Sequence, residues 1–158
     1  MARMKIIANA YFARVENISH EYLAKYHILG IALDIDNTIV ADGETEIAPS
    51  VSQWLKTIAL PVCLLSNGKE QRVRLFADLF GLSYICRANK PFKKAYVKTA
   101  ELLDIKDMSK IVVIGDQLFS DILGGNWAGC HTVKVSPIDK TKDPFAVKIK
   151  RWFEKFVT

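Results

Sequence analysis

The stretch "ILGIALDIDNT", residues 28–38, decides the fold. Its first eight residues, 28–35, form a β-rich run that is apolar but for Asp34, and a second acid, Asp36, follows directly. At strand spacing, positions 34 and 36 point to one side of the chain, because side chains alternate with a period of two. A carboxylate buried without a partner costs on the order of several kcal/mol, so two of them at the end of such a run need either a use or a turn that frees them.

Four further runs have the same character: "PVCLL" (61–65), "SYICRA" (83–88), "IVVIG" (111–115) and "HTVKV" (131–135). Helical patterns fall around them, near 19–27, 49–59, 68–80, 91–103 and 117–127. Continuous Val/Ile/Leu runs, rather than in–out alternation, predict strands covered on both faces. Their alternation with helices predicts an α/β fold, a Rossmann-like parallel sheet with helices on both faces and right-handed crossovers. In such sheets ligands bind beyond the carboxyl ends of the strands. Those ends read "DIDNT", "SNGK", "ANKP" and "GDQLFSD" in order, which collects carboxylates, a hydroxyl with backbone amides, and an ammonium on one rim.

The 158 residues are read as a single domain, 1–158, with an N-terminal segment 1–27 ahead of the first run and a basic amphipathic helix at 144–158. Half the residues are hydrophobic and a quarter charged, the balance of a soluble globular chain. No apolar run reaches the roughly 18–20 residues that cross a bilayer. The start "MARMKIIANAYF" is interrupted at Asn9 and is too short for a signal segment, so the expected location is the cytoplasm. Cys63, Cys86 and Cys130 are odd in number and widely spaced, which suits small buried hydrophobes better than disulfides or zinc.

Each rim motif has a chemical and a structural reading. Asp34 and Asp36 suit a nucleophile and a neighbouring proton shuttle, or the turn chemistry of Asp and Asn. Together with Asp116 and Asp121 they would repel one another unless a cation sat among them, and an all-oxygen donor set favours Mg2+. Ser66 and Asn67 open a strand-to-helix turn whose hydroxyl and N–H groups suit a phosphate, or simply cap the helix. Lys69 and Arg72 are read as solvated helix charges. Lys90 precedes Pro91, which suits a first helical position and holds Lys90 extended at the junction, where it can neutralise phosphate and acids alike. Gly115 lets the chain turn closely, and Asp121 follows Asp116 by about one helical turn.

These residues, in this order, resemble the haloacid dehalogenase (HAD) superfamily of aspartate-nucleophile phosphatases: DxDxT as "DIDNT", Ser66, Lys90, and GDxxxxD as "GDQLFSD". The closer likeness is to the YqeG-like subfamily IIIA, over about residues 17–137, through "DIDNT", "SN", "KP", "GDQ…SD" and "GGN". Two positions depart from its pattern, Gly68 in place of a second Asn and Trp127 in place of an Arg. The resemblance implies that Asp34 attacks phosphorus to form an aspartyl-phosphate while Asp36 acts as acid and base. It implies Mg2+ held by Asp34, the Asp36 carbonyl and Asp116, with Asp121 in support. Ser66, the Asn67 amide and Lys90 would hold the phosphate, and Thr38 would orient the loop.

Residues 39–65 and 67–89 leave no room for a large cap domain between the motifs, so the expected site is open to a bulky or surface-attached substrate. The net charge of +5 is concentrated at the end of the chain, where seven Lys/Arg and three Asp/Glu follow from Lys134, a local +4. Phe145, Ile149, Trp152, Phe153 and Phe156 recur on one helical face, with Lys148, Lys150, Arg151 and Lys155 off it. Such a helix can lie on an anionic membrane or pack on the sheet with its charges in water. YqeG-like proteins resemble phosphatidylglycerophosphate phosphatases, which makes a phospholipid phosphate the leading substrate and membrane association an expectation. A soluble nucleotide or sugar phosphate is the rival substrate. The non-catalytic alternative is a phosphate-binding adaptor that docks on nucleic acid or protein, with nucleic acid the weaker expectation.

Overall fold

Strand β2 (Gly30–Leu33) is buried along its whole length, as a run without polar alternation requires. Ile31 and Leu33 face one apolar layer and Ala32 the other. A computed structural model describes residues 5–158, in which β2 lies inside a six-stranded, all-parallel sheet. The other strands are β1 (Ala10–Phe12), β3 (Val62–Leu65), β4 (Ser83–Ile85), β5 (Ile111–Gly115) and β6 (His131–Val135), in the order β1-β6-β5-β2-β3-β4. From β2 the chain steps outward through β3 and β4, then returns to β5 on the other side. The order therefore reverses between β2 and β5, where an open sheet of this kind splays its loops and leaves a crevice.

Helices cover both faces, as expected. Residues of α1 (His20–Lys25), α2 (Pro49–Thr57) and α3 (Glu70–Phe80) join one layer, where Val51, Trp54, Val73 and Phe76 meet Ile31, Leu33 and Leu64. Residues of α4 (Lys93–Leu102) and α5 (Leu123–Ala128) join the other, where Tyr96 and Ala100 meet Ala32, Cys63 and Val113. Ser19 caps α1 by accepting the Tyr22 N–H at 3.1 Å, and Gly81 ends α3 at φ 65°, a conformation that glycine adopts without a Cβ penalty. All three cysteines are free, and burial raises the Cys63 thiol to about 11 and Cys130 to about 12.

Three local features differ from the sequence expectation. A sixth strand, β1, lies inside the N-terminal segment. It is short and half-buried at a sheet edge, where Asn9 pins it by accepting the Thr132 N–H at 2.8 Å. The Asn that interrupts the apolar pattern is thus the residue that docks the segment. Pro91 does not start the fourth helix: α4 begins only at Lys93, and the Lys90–Pro91 peptide is cis. The fifth helix opens as a π-helical turn, Leu118–Ile122, before α5 takes over.

The last helix, α6 (Phe145–Glu154), has no buried residue. Phe145, Trp152, Phe153 and Phe156 are between 49% and 79% exposed, so of the two readings of this stripe, burial against the sheet is not what the structure holds. Arg151 and Glu154 anchor the segment by polar contacts, and Val157, just beyond the helix, packs against the cluster that contains Leu118 and Ile122. Among the described residues no helix is long and apolar enough to cross a membrane.

The two-sided core makes a direct demand on β2. Leu33 is fully buried, so Leu33→Ala is expected to lower unfolding free energy by about 2–5 kcal/mol, read as a lower urea midpoint with an unchanged slope.

Candidate active site

At the carboxyl end of β2 the Asp34 N–H still donates to the Ile114 carbonyl, at 3.0 Å, so Asp34 is anchored in the ladder. The next residues wrap into a tight turn. Thr38 N–H and Ile39 N–H donate to the Ile35 carbonyl at 3.1 and 3.0 Å, and Asn37 adopts φ 61°, which Asn tolerates better than most residues. The turn brings the Thr38 hydroxyl within 3.1 Å of Asp34 Oδ2 and 3.4 Å of Asp116 Oδ1. Asp34 is buried, whereas Asp36 stands on the partly exposed rim.

Lys90 crosses to this loop from beyond β4. Its ammonium donates to Asp34 Oδ1 at 2.8 Å, Asp121 Oδ1 at 2.6 Å and the Leu65 carbonyl at 2.9 Å, which uses all three of its N–H bonds. Burial alone would pull the Lys90 pKa down, but Asp121 and Asp34 outweigh it and hold the ammonium above its ordinary range.

Asp116 and Asp121 come from the end of β5 and the π-helical turn. The wider turn carries Asp121 back beneath Gly115, close enough that a Cβ on residue 115 would strike the Asp121 carboxylate. Asp121 Oδ2 accepts the Gln117 N–H at 3.1 Å, so both of its oxygens are engaged. Asp34, Asp116 and Asp121 each bring one oxygen to within 4.8 Å of one another. Hard carboxylate oxygens without a sulfur or imidazole among them suit Mg2+.

Ser66 directly follows β3, is buried, and accepts the Gly68 N–H at 3.0 Å. Asn67 uses its side-chain carbonyl to accept the Lys90 N–H at 2.8 Å, tying the second strand end to the third. The sequence-predicted residues Asp34, Thr38, Ser66, Asn67, Lys90, Asp116 and Asp121 are thus brought together by contacts at one rim. Trp127, one of the two departures from the subfamily pattern, is exposed on α5.

Two arginines have acidic partners that the sequence pattern does not reveal. Arg72, read as a solvated charge, donates through Nη2 to Asp36 Oδ1 at 2.6 Å and to the Glu44 carbonyl at 2.7 Å, fixing the Asp36 carboxylate. Its place in the first turn of the helix that follows "SNGK" was the available signal. Arg151, placed among the basic residues of the tail, reaches Asp116 and Asp143. Nothing in the helical pattern separates it from Lys148 or Lys150, because the contact spans 35 residues of chain.

Four carboxylates, Asp34, Asp116, Asp121 and Asp143, share two cations, Lys90 and Arg151. Burial, then Asp34, then Asp121 push the Asp116 carboxyl well up, against the pull of Arg151. Burial and Asp34 push Asp121 up to about 6 despite Lys90. The cluster therefore carries a deficit of positive charge that one divalent cation would balance.

A HAD-hydrolase-like family model matches residues 87–142, which include Lys90, Asp116 and Asp121. The chain is 36% identical over 147 residues to the probable phosphatase YqeG of Bacillus subtilis, a match that covers 89% of this chain and 84% of that protein. The chain belongs to the YqeG-like family of HAD phosphatases. It is also 24% identical over 163 residues to a phosphatidylglycerophosphate phosphatase 1 of Arabidopsis thaliana, covering 87% of this chain and 45% of that longer one. A HAD-superfamily hydrolase from Ehrlichia chaffeensis shares the fold, with a TM-score of 0.50 and 18% identity over 72% of this chain and 60% of that one. The chain is accordingly a HAD-type phosphatase, and the open α/β architecture expected from its sequence is the one observed.

The charge deficit has a measurable sign. A buried Asp121 that titrates near 6 keeps its proton in the folded chain where the unfolded chain, at 3.8, has lost it. In chelator, stability should therefore fall as pH rises from 3.8 through about 6, with Asp116 extending the loss upward. Added Mg2+ should raise the thermal midpoint more at pH 8 than at pH 5, as read by circular dichroism.

Proposed function

We propose that the protein is a Mg2+-dependent phosphomonoesterase that works through an aspartyl-phosphate on Asp34, with phosphatidylglycerophosphate as its substrate. The observation that carries the reaction is the Lys90 ammonium, buried between Asp34 and Asp121, with Asp116 a short step away. Such a site presents one carboxylate beside fixed positive charge, which is what phosphoryl transfer asks of a protein.

In the first half-reaction an Asp34 oxygen forms a bond to phosphorus as the bond from phosphorus to the leaving oxygen breaks. Asp36, steadied by Arg72, gives its proton to that oxygen. In the second half Asp36 takes a proton from water, whose oxygen displaces the Asp34 carboxylate and releases inorganic phosphate. Ser66 and the Asn67 N–H hold phosphate oxygens, Lys90 neutralises the transferred group, and Thr38 holds Asp34 in line. Asp34, Asp116 and the Asp36 carbonyl would hold Mg2+, with Asp121 in support, and the ion would draw charge from the phosphoryl oxygens.

Two observations support a lipid substrate. The Arabidopsis relative is named for phosphatidylglycerophosphate, and α6 with the turn after it exposes Ile149, Trp152, Phe153 and Phe156 beside Lys148, Lys150 and Lys155. An apolar and basic face of this kind suits an anionic bilayer, where the substrate would lie.

The test is a panel of phosphates with Mg2+: phosphatidylglycerophosphate in mixed micelles, nucleotide and sugar phosphates, and an aryl phosphate. Wild-type protein should release phosphate fastest from the lipid, and an acid quench with lipid labelled in its terminal phosphate should leave label on the protein. Asp34→Asn should abolish both signals, and Asp36→Asn should lower kcat by about 10²–10⁴-fold. Equal turnover by Asp34→Asn would end the covalent reading, and preference for a soluble phosphate would end the lipid one.

Membrane contact makes a separate prediction. Trp152→Ala with Phe153→Ala should weaken sedimentation with phosphatidylglycerol vesicles while leaving hydrolysis of the aryl phosphate within about twofold. Equal sedimentation of the double variant would remove α6 as the contact.

A further inference from the structure

The loops that carry Asp34 and Asp116 leave the sheet from neighbouring strands, β2 and β5. Above the sheet they are joined by the C-terminal segment. Asp116 is fully buried, and its Oδ2 accepts from Arg151 Nη2. A second guanidinium nitrogen, Nη1, lies 3.4 Å from the Asp116 carbonyl. Arg151 is gripped from its other side by Asp143, which accepts from Nε. Asp143 in turn accepts from Asn37 Nδ2 at 2.5 Å, and Asn37 lies inside the "DIDNT" loop. Asn37 also accepts the Asp139 N–H at 2.9 Å through its side chain and the Ile138 N–H at 3.3 Å through its carbonyl. The Thr38 hydroxyl, between Asp34 and Asp116, closes the ring. A second clamp beside it is Glu154, which accepts the Leu118 N–H at 2.8 Å.

We infer that Arg151 is a positioning residue of the catalytic centre: from α6 it fixes the rotamer of Asp116 so that the free oxygen of that carboxylate faces Asp34. This rests on the reading of Asp116 as a metal ligand proposed above. The geometry separates the two carboxylate oxygens. Oδ2 is spent on Arg151, whereas Oδ1 faces the Thr38 hydroxyl that also meets Asp34 Oδ2. A cation between the two acids can use Oδ1 without displacing the guanidinium. Charge agrees, since four carboxylates against Lys90 and Arg151 leave a formal −2 that one divalent ion cancels with Arg151 in place. A planar guanidinium can meet Asp116 and Asp143 on two edges at once, which an ammonium on a flexible stem cannot. Outer partners of ligating carboxylates set their orientation and, when removed, commonly cost about 10–100-fold in metal affinity.

The experiment titrates Mn2+, followed by the paramagnetic resonance of free ion, and Mg2+, by calorimetry, into the full chain. Wild type, Arg151→Ala, Arg151→Lys and Asp143→Asn are compared. Arg151→Ala should bind both ions about 10–100-fold more weakly. Arg151→Lys should recover part of the loss, and Asp143→Asn should weaken binding in the same direction. The Mg2+ concentration for half-maximal aryl phosphate hydrolysis should rise in parallel, with kcat at saturating Mg2+ affected less. Should Arg151→Ala fail to fold by circular dichroism, Asp143→Asn carries the test, and unchanged affinity there overturns the inference. Unchanged affinity in a folded Arg151→Ala overturns it too, and tighter binding shows that the guanidinium competes with the cation instead. A wild-type protein that binds neither ion overturns the metal reading itself, which distinguishes the two failures.

Discussion

One buried ammonium organises the rim. Lys90 is 6% exposed, and taking its charge out of water is expensive unless every N–H finds an acceptor. It finds Asp34 beyond β2, Leu65 at the end of β3 and Asp121 after β5, while its own chain leaves from beyond β4. A single side chain therefore ties four strand ends together. Deleting either acid would leave one N–H of the buried ammonium without its acceptor and load the remaining pair, so the arrangement is coupled rather than additive.

Around that inner contact lies a ring of longer reach. Arg72 steadies the exposed Asp36, and Arg151 meets the buried Asp116. The two acids closest to the proposed chemistry thus differ in environment as their proposed roles require. Asp34 is enclosed and held by Lys90 and Thr38, which suits a nucleophile aligned once and kept there. Asp36 stands where a leaving group and water can reach it. The helix that reaches Asp116 through Arg151 also presents Trp152 and Phe153, each about half exposed, to the surroundings.

The strands, the α/β class and the ordered motifs were legible in the sequence, because a buried parallel strand is readable as an apolar run and the rim residues follow each run directly. Strand β1 was not. Its three residues are half-buried at an edge, and Asn9, which interrupts the apolar pattern, owes its meaning to a bond with Thr132. The π-helical turn was read as the start of a helix, since its extra residue per turn leaves no periodic trace over five residues. Arg72 and Arg151 looked like solvated charges because a helical pattern distinguishes polar from apolar positions, not one cation from another.

By itself the sequence determined which chemical groups this protein carries to the ends of its strands, and it did so locally: Asp34, Ser66 and Asp116 each directly follow a fully buried strand, and Lys90 lies a few residues beyond the half-exposed edge strand β4. Tertiary structure decided which of those groups meet and what answers their charge. The Lys90–Asp121 contact spans 31 residues, Asp116–Arg151 35 and Asn37–Asp143 106, so no local pattern encodes them. Such pairings are set by the order of strands in the sheet and by the cost of leaving a buried charge unanswered, and both belong to the folded chain alone.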